Sequence, residues 1–283
     1  MNFKIAVHIT YYQDSKLSFK RRSFLKKVIL SYLSISKNVE IFIHTNKKIF
    51  YKHKSVKGII HNLKGEHPFY LSWKCRNLIF KQRNIYDYFI YSEDDILFKL
   101  ENFLYWKKYN YLCKKNNYNI GFVRVEDRKF KGLYAVDIFI KLKKFINIQG
   151  KNFIINDNNP YCALWIMSKN ELHNFIRSNI WRFKWKTKYQ SYGDIRAMSA
   201  MGRHAKNMDY YKATILPIKK INNRSKIEKG SVILHLDNKY SITRHGPGSL
   251  NYNSLLENNL IKFTRYHYFI LYVKNFLKKF LKV

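Results

Sequence analysis

The sequence predicts an α/β fold with a mostly parallel central sheet flanked by helices. Three observations lead there. Short apolar runs alternate with helical patterns over about the first hundred residues, the rhythm of βαβ units. Hydrophobic residues make up 46% of 283, enough for a sizeable core, while glycine and proline number only 10 and 4, which excludes a disordered or fibrous chain. An apolar, aromatic run, Tyr86-Asp87-Tyr88-Phe89-Ile90-Tyr91, ends on Glu93-Asp94-Asp95, and open α/β sheets build ligand sites at the C-terminal ends of buried strands.

Residues 4–9 read as a first buried strand, followed by a loop over 10–15. A helix over 19–33 carries Phe24, Leu25, Val28, Ile29 and Leu33 at three- and four-residue spacings. Residues 39–43 are a second strand, 58–60 a short third, 70–81 a helix after His67-Pro68, and 88–91 the strand that feeds the acidic triplet. Beyond it, 103–115 reads as a helix and 120–125 as a strand. Residues 130–155 alternate apolar and basic side chains and fit neither period well. Residues 162–167 are strand-like, 169–177 helical, 195–201 a helix closed by Gly202, and 231–236 a late strand. No repeat or linker interrupts residues 1–265, so they are expected to form one domain, 1–100 as its first half and 101–265 as its second. Residues 266–283 place Phe269, Val273, Phe276, Leu277, Phe280 and Leu281 on one face and lysines elsewhere. That is a basic amphipathic helix suited to an anionic bilayer surface or to docking on the core.

Acidic residues are rare, 18 against 54 Lys and Arg, so three in a row stand out. Clustered carboxylates repel unless a cation joins them, and hard oxygen ligands suit Mg²⁺ or Mn²⁺. The plainer alternative is that Asp94 or Asp95 caps a helix beginning near Ile96. The net charge of +36 suits an anionic partner: nucleic acid, a membrane face or phosphorylated substrates. Cys75, Cys113 and Cys162 lie far apart with no CxxC pair, so neither a zinc site nor a disulfide framework is indicated and a reducing compartment is expected. The N-terminus runs directly into a strand and shows no signal-peptide pattern, and no stretch is long enough for a membrane span.

The strands and the acidic motif together resemble the GT-A class of nucleotide-sugar-dependent glycosyltransferases, which place an Asp-x-Asp-type motif after a buried strand of a Rossmann-like sheet. The matching segment is Tyr88-Phe89-Ile90-Tyr91-Ser92-Glu93-Asp94-Asp95, with Glu93 and Asp95 in the two motif positions and Glu in place of the commoner Asp at the first. It covers residues 1 to about 100 best and extends loosely to His235. The resemblance implies a divalent metal bridging the donor diphosphate, with Asp95 as direct ligand and Glu93 and Asp94 on metal or ribose. His235, ending a late strand, would complete the shell or be structural. Lys74 and Arg76 would face the diphosphate or simply solvent. Tyr11 or Tyr12, in the loop after the first strand, would stack on the base or pack. An inverting enzyme needs a general base. Asp194, opening a helix after Tyr192-Gly193, is the candidate, alternatively a cap, with Asp137 and Glu126 behind it. Asn159-Pro160-Tyr161 and Trp165 are candidates for the acceptor side.

The reading is therefore a metal-dependent hexosyltransferase passing sugar from a nucleotide donor to a cell-surface glycan or lipid-linked acceptor. It would work in the bacterial cytoplasm against the inner face of the plasma membrane, with no nucleic acid as partner. Two other classes stay open. A nucleic-acid-binding protein would use the interleaved cations and aromatics, though no helix-turn-helix, RRM or zinc module is seen. A metal-dependent nuclease would recruit Glu126, Asp127 and Asp137 to the same carboxylates.

Overall fold

The structure, a computed structural model, describes residues 3–13, 18–49, 51–178, 181, 211–221, 224–240 and 248–263. Its first part runs β1 (Ile5–Tyr11), α1 (Ser18–Leu33), β2 (Val39–Thr45), β3 (Val56–Ile60), α2 (Leu71–Gln82) and β4 (Tyr88–Glu93). The middle holds β5 (Ile96–Leu97), α3 (Leu100–Lys115), β6 (Asn119–Ile120), β7 (Val123–Arg128), β8 (Gly132–Ala135), β9 (Leu142–Ile148) and β10 (Lys151–Asn156). After these come β11 (Leu164–Ser168), α4 (Lys169–Arg177), β12 (Thr214–Ile221), β13 (Arg224–Ile227), β14 (Val232–His235), β15 (Leu250–Asn251) and β16 (Leu256–Lys262).

The first sheet has the order β11-β4-β1-β2-β3. Strands β3, β2, β1 and β4 are parallel, and β11 closes the edge antiparallel. Every residue of β1 is buried, which a parallel strand covered on both faces requires. Helix α1 turns Leu25, Val28, Ile29 and Tyr32 into the core. Helix α4 begins at Ser168, whose hydroxyl accepts from the Glu171 amide (3.4 Å) while the Glu171 carboxylate accepts from the Ser168 amide (2.9 Å).

The other two sheets are mainly antiparallel. One runs β13-β12-β10-β9-β16 with β6 beside β12, the other β15-β8-β7-β14-β5. The stretch 130–155, which fits neither period, contains β8 and the hairpin of β9 and β10. That hairpin turns on two residues at positive φ, Gln149 (49°) and Gly150 (77°), the backbone a two-residue turn needs. The strand expected at 120–125 is instead two, β6 and β7, in different sheets. They separate at Gly121, where a Cβ would sit 2.5 Å from Thr214 Cγ2. No helix forms at Ile96: β5 pairs with β14, and α3 starts at Leu100, so neither Asp94 nor Asp95 caps a helix.

One core cluster runs from Ile5 to Ile233 and joins the first sheet to α3 and β12. Beside it three imidazoles line up, His8 on β1, His44 on β2 and the partly buried His61 just after β3. His8 Nδ1 lies 3.0 Å from His44 Nε2, and His44 Nδ1 lies 2.8 Å from His61 Nε2. Burial pushes His8 down to about 3 and His44 well below the usual imidazole range. No helix among the described residues is long and apolar enough to cross a membrane. The expected helix 195–201, Asp194 and the unit 266–283 lie outside the described residues.

Candidate active site

The order 3-2-1-4 makes the gap between β1 and β4 a topological switch point: the chain leaves β1 toward β2 on one side, and β4 lies on the other. Loops diverge there and leave a crevice beyond the carboxyl ends of the strands. A concavity of about 350 Å³ occupies that place. Thr10 and Tyr12 line it from the β1 side, Tyr91, Glu93 and Asp94 from the β4 side, and Arg21 from α1. The segment His67–Ser72, where α2 begins, closes one flank, and Lys239 another.

The triplet is buried: Glu93 is 7%, Asp94 1% and Asp95 3% exposed. Three acids cannot be packed together without compensation, and two partners supply it. Glu93 accepts from the Tyr161 hydroxyl. Asp94 and Asp95 share Arg21, whose Nη2 binds Asp94 Oδ1 and whose Nη1 lies 3.1 Å from Asp95 Oδ2. The compensation is incomplete, because Asp94 Oδ2 and Asp95 Oδ1 are buried with no hydrogen-bond partner among the described residues.

Asp95 also meets His235, whose Nε2 lies 3.4 Å from Asp95 Oδ2. Strand β5 brings them together: His235 pairs with Ile96, and the Leu236 amide donates to the Asp95 carbonyl (2.8 Å). The other imidazole nitrogen, Nδ1, lies 2.5 Å from Glu126 Oε1. Burial works against the charged form of His235, but its hydrogen bonds with Asp95 and Glu126 outweigh this and raise its pKa. Burial likewise works against Asp95 ionising; His235, Arg21 and Arg124 reverse that and hold its carboxyl well below the ordinary range. Asp94 goes the other way. Burial, then its acidic neighbours, push its carboxyl up against the pull of Arg21. Two adjacent aspartates are thereby set to opposite protonation tendencies.

A second charged pair stands behind the triplet. Arg124 donates to both oxygens of Asp137, at 2.8 Å each, and its guanidinium lies 5.1 Å from the Tyr161 ring centroid. Asp137 is committed to this pair and Glu126 to His235, and neither lines the concavity.

The remaining expected residues scatter. Tyr12 lines the concavity, whereas Tyr11, next along the strand, points to a separate recess beside Arg22 and Lys48. Lys74 pairs with Glu66 (2.7 Å) and lies outside the concavity lining. Arg76 is buried, donates to the Trp181 carbonyl (2.8 Å) and stacks 4.2 Å from the Trp73 ring centroid; burial pushes it down to about 10. Trp165 stacks on Tyr91 (6.0 Å, 19° between planes), a wall behind the concavity rather than part of its lining. Tyr161, expected on the acceptor side, donates to Glu93, and Arg21 is the site residue the sequence reading missed. Arg21 carries one legible signal: it lies one turn into the helix that follows β1, the stretch that folding must bring near the strand ends.

Among the described residues no three His, Cys, Asp or Glu side chains converge as a complete ligand set for a metal ion. No protein-family model matches the chain, and no curated protein matches it. Among solved structures, the crystal structure of S. aureus TarS 1-349 aligns with a TM-score of 0.38 at 11% identity, over 70% of this chain and 56% of that one.

Proposed function

We propose that the protein is a glycosyltransferase using a nucleotide-sugar donor, with the diphosphate in the concavity between the ends of β1 and β4. The observation that supports this most is the buried Asp94–Asp95 pair beside Arg21 at a switch-point crevice, with one oxygen of each carboxylate unsatisfied. In this reading those two oxygens hold Mg²⁺ or Mn²⁺. Two carboxylates fit such an ion without a third protein ligand, because Mg²⁺ characteristically takes its other ligands from substrate phosphates and water. When bound, the ion would neutralise charge growing on the leaving diphosphate.

The chain's own groups have defined work. Asp95, kept ionised by His235 and Arg21, is the stronger anchor. Glu126 holds the His235 ring in register beside Asp95, as carboxylates do behind metal-site histidines. Tyr12 offers an aromatic face at the rim for the base. Tyr161 holds Glu93 turned toward the acceptor-side segment 159–161. Asp194 remains the proposed general base. A glycan or lipid-linked acceptor at an anionic membrane surface stays part of the proposal, in keeping with the charge of +36.

A thermal-shift screen of nucleoside diphosphates and their sugar conjugates, with and without Mn²⁺, tests this. Ligand binding to the native state raises the melting temperature. One nucleotide should stabilise the protein in the presence of metal, and Asp95→Asn should remove the response. Silence to every nucleotide, with strong salt-sensitive binding to oligonucleotides, would favour the nucleic-acid reading instead.

A further inference from the structure

We propose that Arg21 is a built-in competitor for the divalent cation: it holds Asp94 and Asp95 in the donor-free protein and releases them when a diphosphate takes over its guanidinium. This rests on the donor-site reading above and goes beyond it by assigning an order to binding.

The geometry separates what can move from what cannot. The Asp94 and Asp95 side chains are only 2% and 4% exposed and are fixed by the strand end and by β5, so they cannot swing to meet an ion elsewhere. Arg21 is 28% exposed, sits on a long flexible stem and lines the concavity, so its head can leave. Its fork spans two carboxylates, one nitrogen on each. The same planar fork takes two oxygens of a phosphate. A metal ion alone must approach a carboxylate pair already half-neutralised by a guanidinium. A diphosphate alone must approach a guanidinium already neutralised by carboxylates. Arriving together, each ligand removes the partner that blocks the other, so each should raise the other's affinity by the same factor.

The test uses the full chain, with Mn²⁺ and inorganic pyrophosphate as probes. Loss of the free-ion EPR signal gives Mn²⁺ affinity without any phosphate. Arg21→Gln, which keeps a hydrogen-bonding head and removes the charge, should bind Mn²⁺ alone about tenfold more tightly than wild type. Calorimetry at saturating Mn²⁺ should show pyrophosphate binding about tenfold weaker to the variant. Circular dichroism checks that the variant folds. If it does not, Arg21→Lys is measured the same way, with a smaller gain expected because the charge stays and the fork is lost. Unchanged or weaker Mn²⁺ affinity in the folded variant overturns the proposal. So does pyrophosphate binding that ignores EDTA in wild type and vanishes in Arg21→Gln, which would make the guanidinium the permanent cation. Absence of Mn²⁺ binding by either protein, even with pyrophosphate, would remove the metal reading of the site as well.

Discussion

The molecule contains two buried arginine–carboxylate clusters a short way apart, and they are built differently. Arg124 and Asp137 form a closed pair: two parallel 2.8 Å bonds, side chains 4% and 8% exposed, and no unsatisfied atom on either. Arg21 with Asp94 and Asp95 is an open cluster: one guanidinium shared by two acids, an exposed flank, and two stranded oxygens. A pair kept only for structure is expected to satisfy every buried lone pair it can. Leaving two unmet costs stability; Asp94 lines the concavity and Asp95 lies just behind it, and in the proposed reading a bound cation recovers that cost.

Asp95→Asn should lower sugar transfer from the responding donor by roughly a thousandfold, with circular dichroism checking that the variant folds; a folded variant with wild-type turnover removes the triplet from the mechanism. The closed cluster should respond in the opposite way. Arg124→Met leaves Asp137 buried and unpaired, and should cost about 3 kcal/mol in denaturant unfolding. The double variant Arg124→Met, Asp137→Leu should recover much of that loss. If Arg124→Met unfolds no more easily than wild type, the two clusters are not different in kind.

A third measurement sharpens the contrast with buried groups that carry no charge. His8 and His44 have folded-state pKa values below the ordinary imidazole value. The unfolded chain therefore binds protons first as pH falls, and stability declines below about pH 6.5, continuing toward pH 3 for His8. His8→Asn should flatten the stability profile between roughly pH 6 and 4; an unchanged slope would mean the imidazoles titrate as if exposed. The smallest effect belongs to the half-exposed Lys74–Glu66 pair. Lys74→Ala should change stability by less than about 0.5 kcal/mol and leave donor affinity unaltered, whereas a large loss of affinity would return Lys74 to the diphosphate.

The parallel half was legible because strands covered on both faces read as unbroken apolar runs. Phe89, Ile90 and Tyr91 ending on Glu93-Asp94-Asp95 announced both a strand and the acidic end that meets the crevice. The antiparallel half was not. In β9 buried Leu142, Ile146 and Ile148 are interleaved with lysines, and the turn to β10 uses Gln149-Gly150 rather than the stronger Asn-Gly signal. Within the site, His235 could be chosen as a strand end, but its partner Glu126 is 109 residues away and meets it only through the parallel alignment of β14 with β7. Arg21 was hidden by abundance. Among 54 basic residues, its place one turn into the helix after β1 is a signal it shares with its neighbours Lys20 and Arg22.

His8, His44 and His61 form a row of three imidazoles in mutual contact. A neutral imidazole has one N–H and one lone-pair nitrogen, so His44, touching a neighbour through each nitrogen, must give on one side and take on the other. Its tautomer then dictates which atom of His8 and which of His61 carries hydrogen, and all three must reverse together or not at all. The row has a direction, and His61, the half-exposed member at its outer end, is the point from which the solvent can set it.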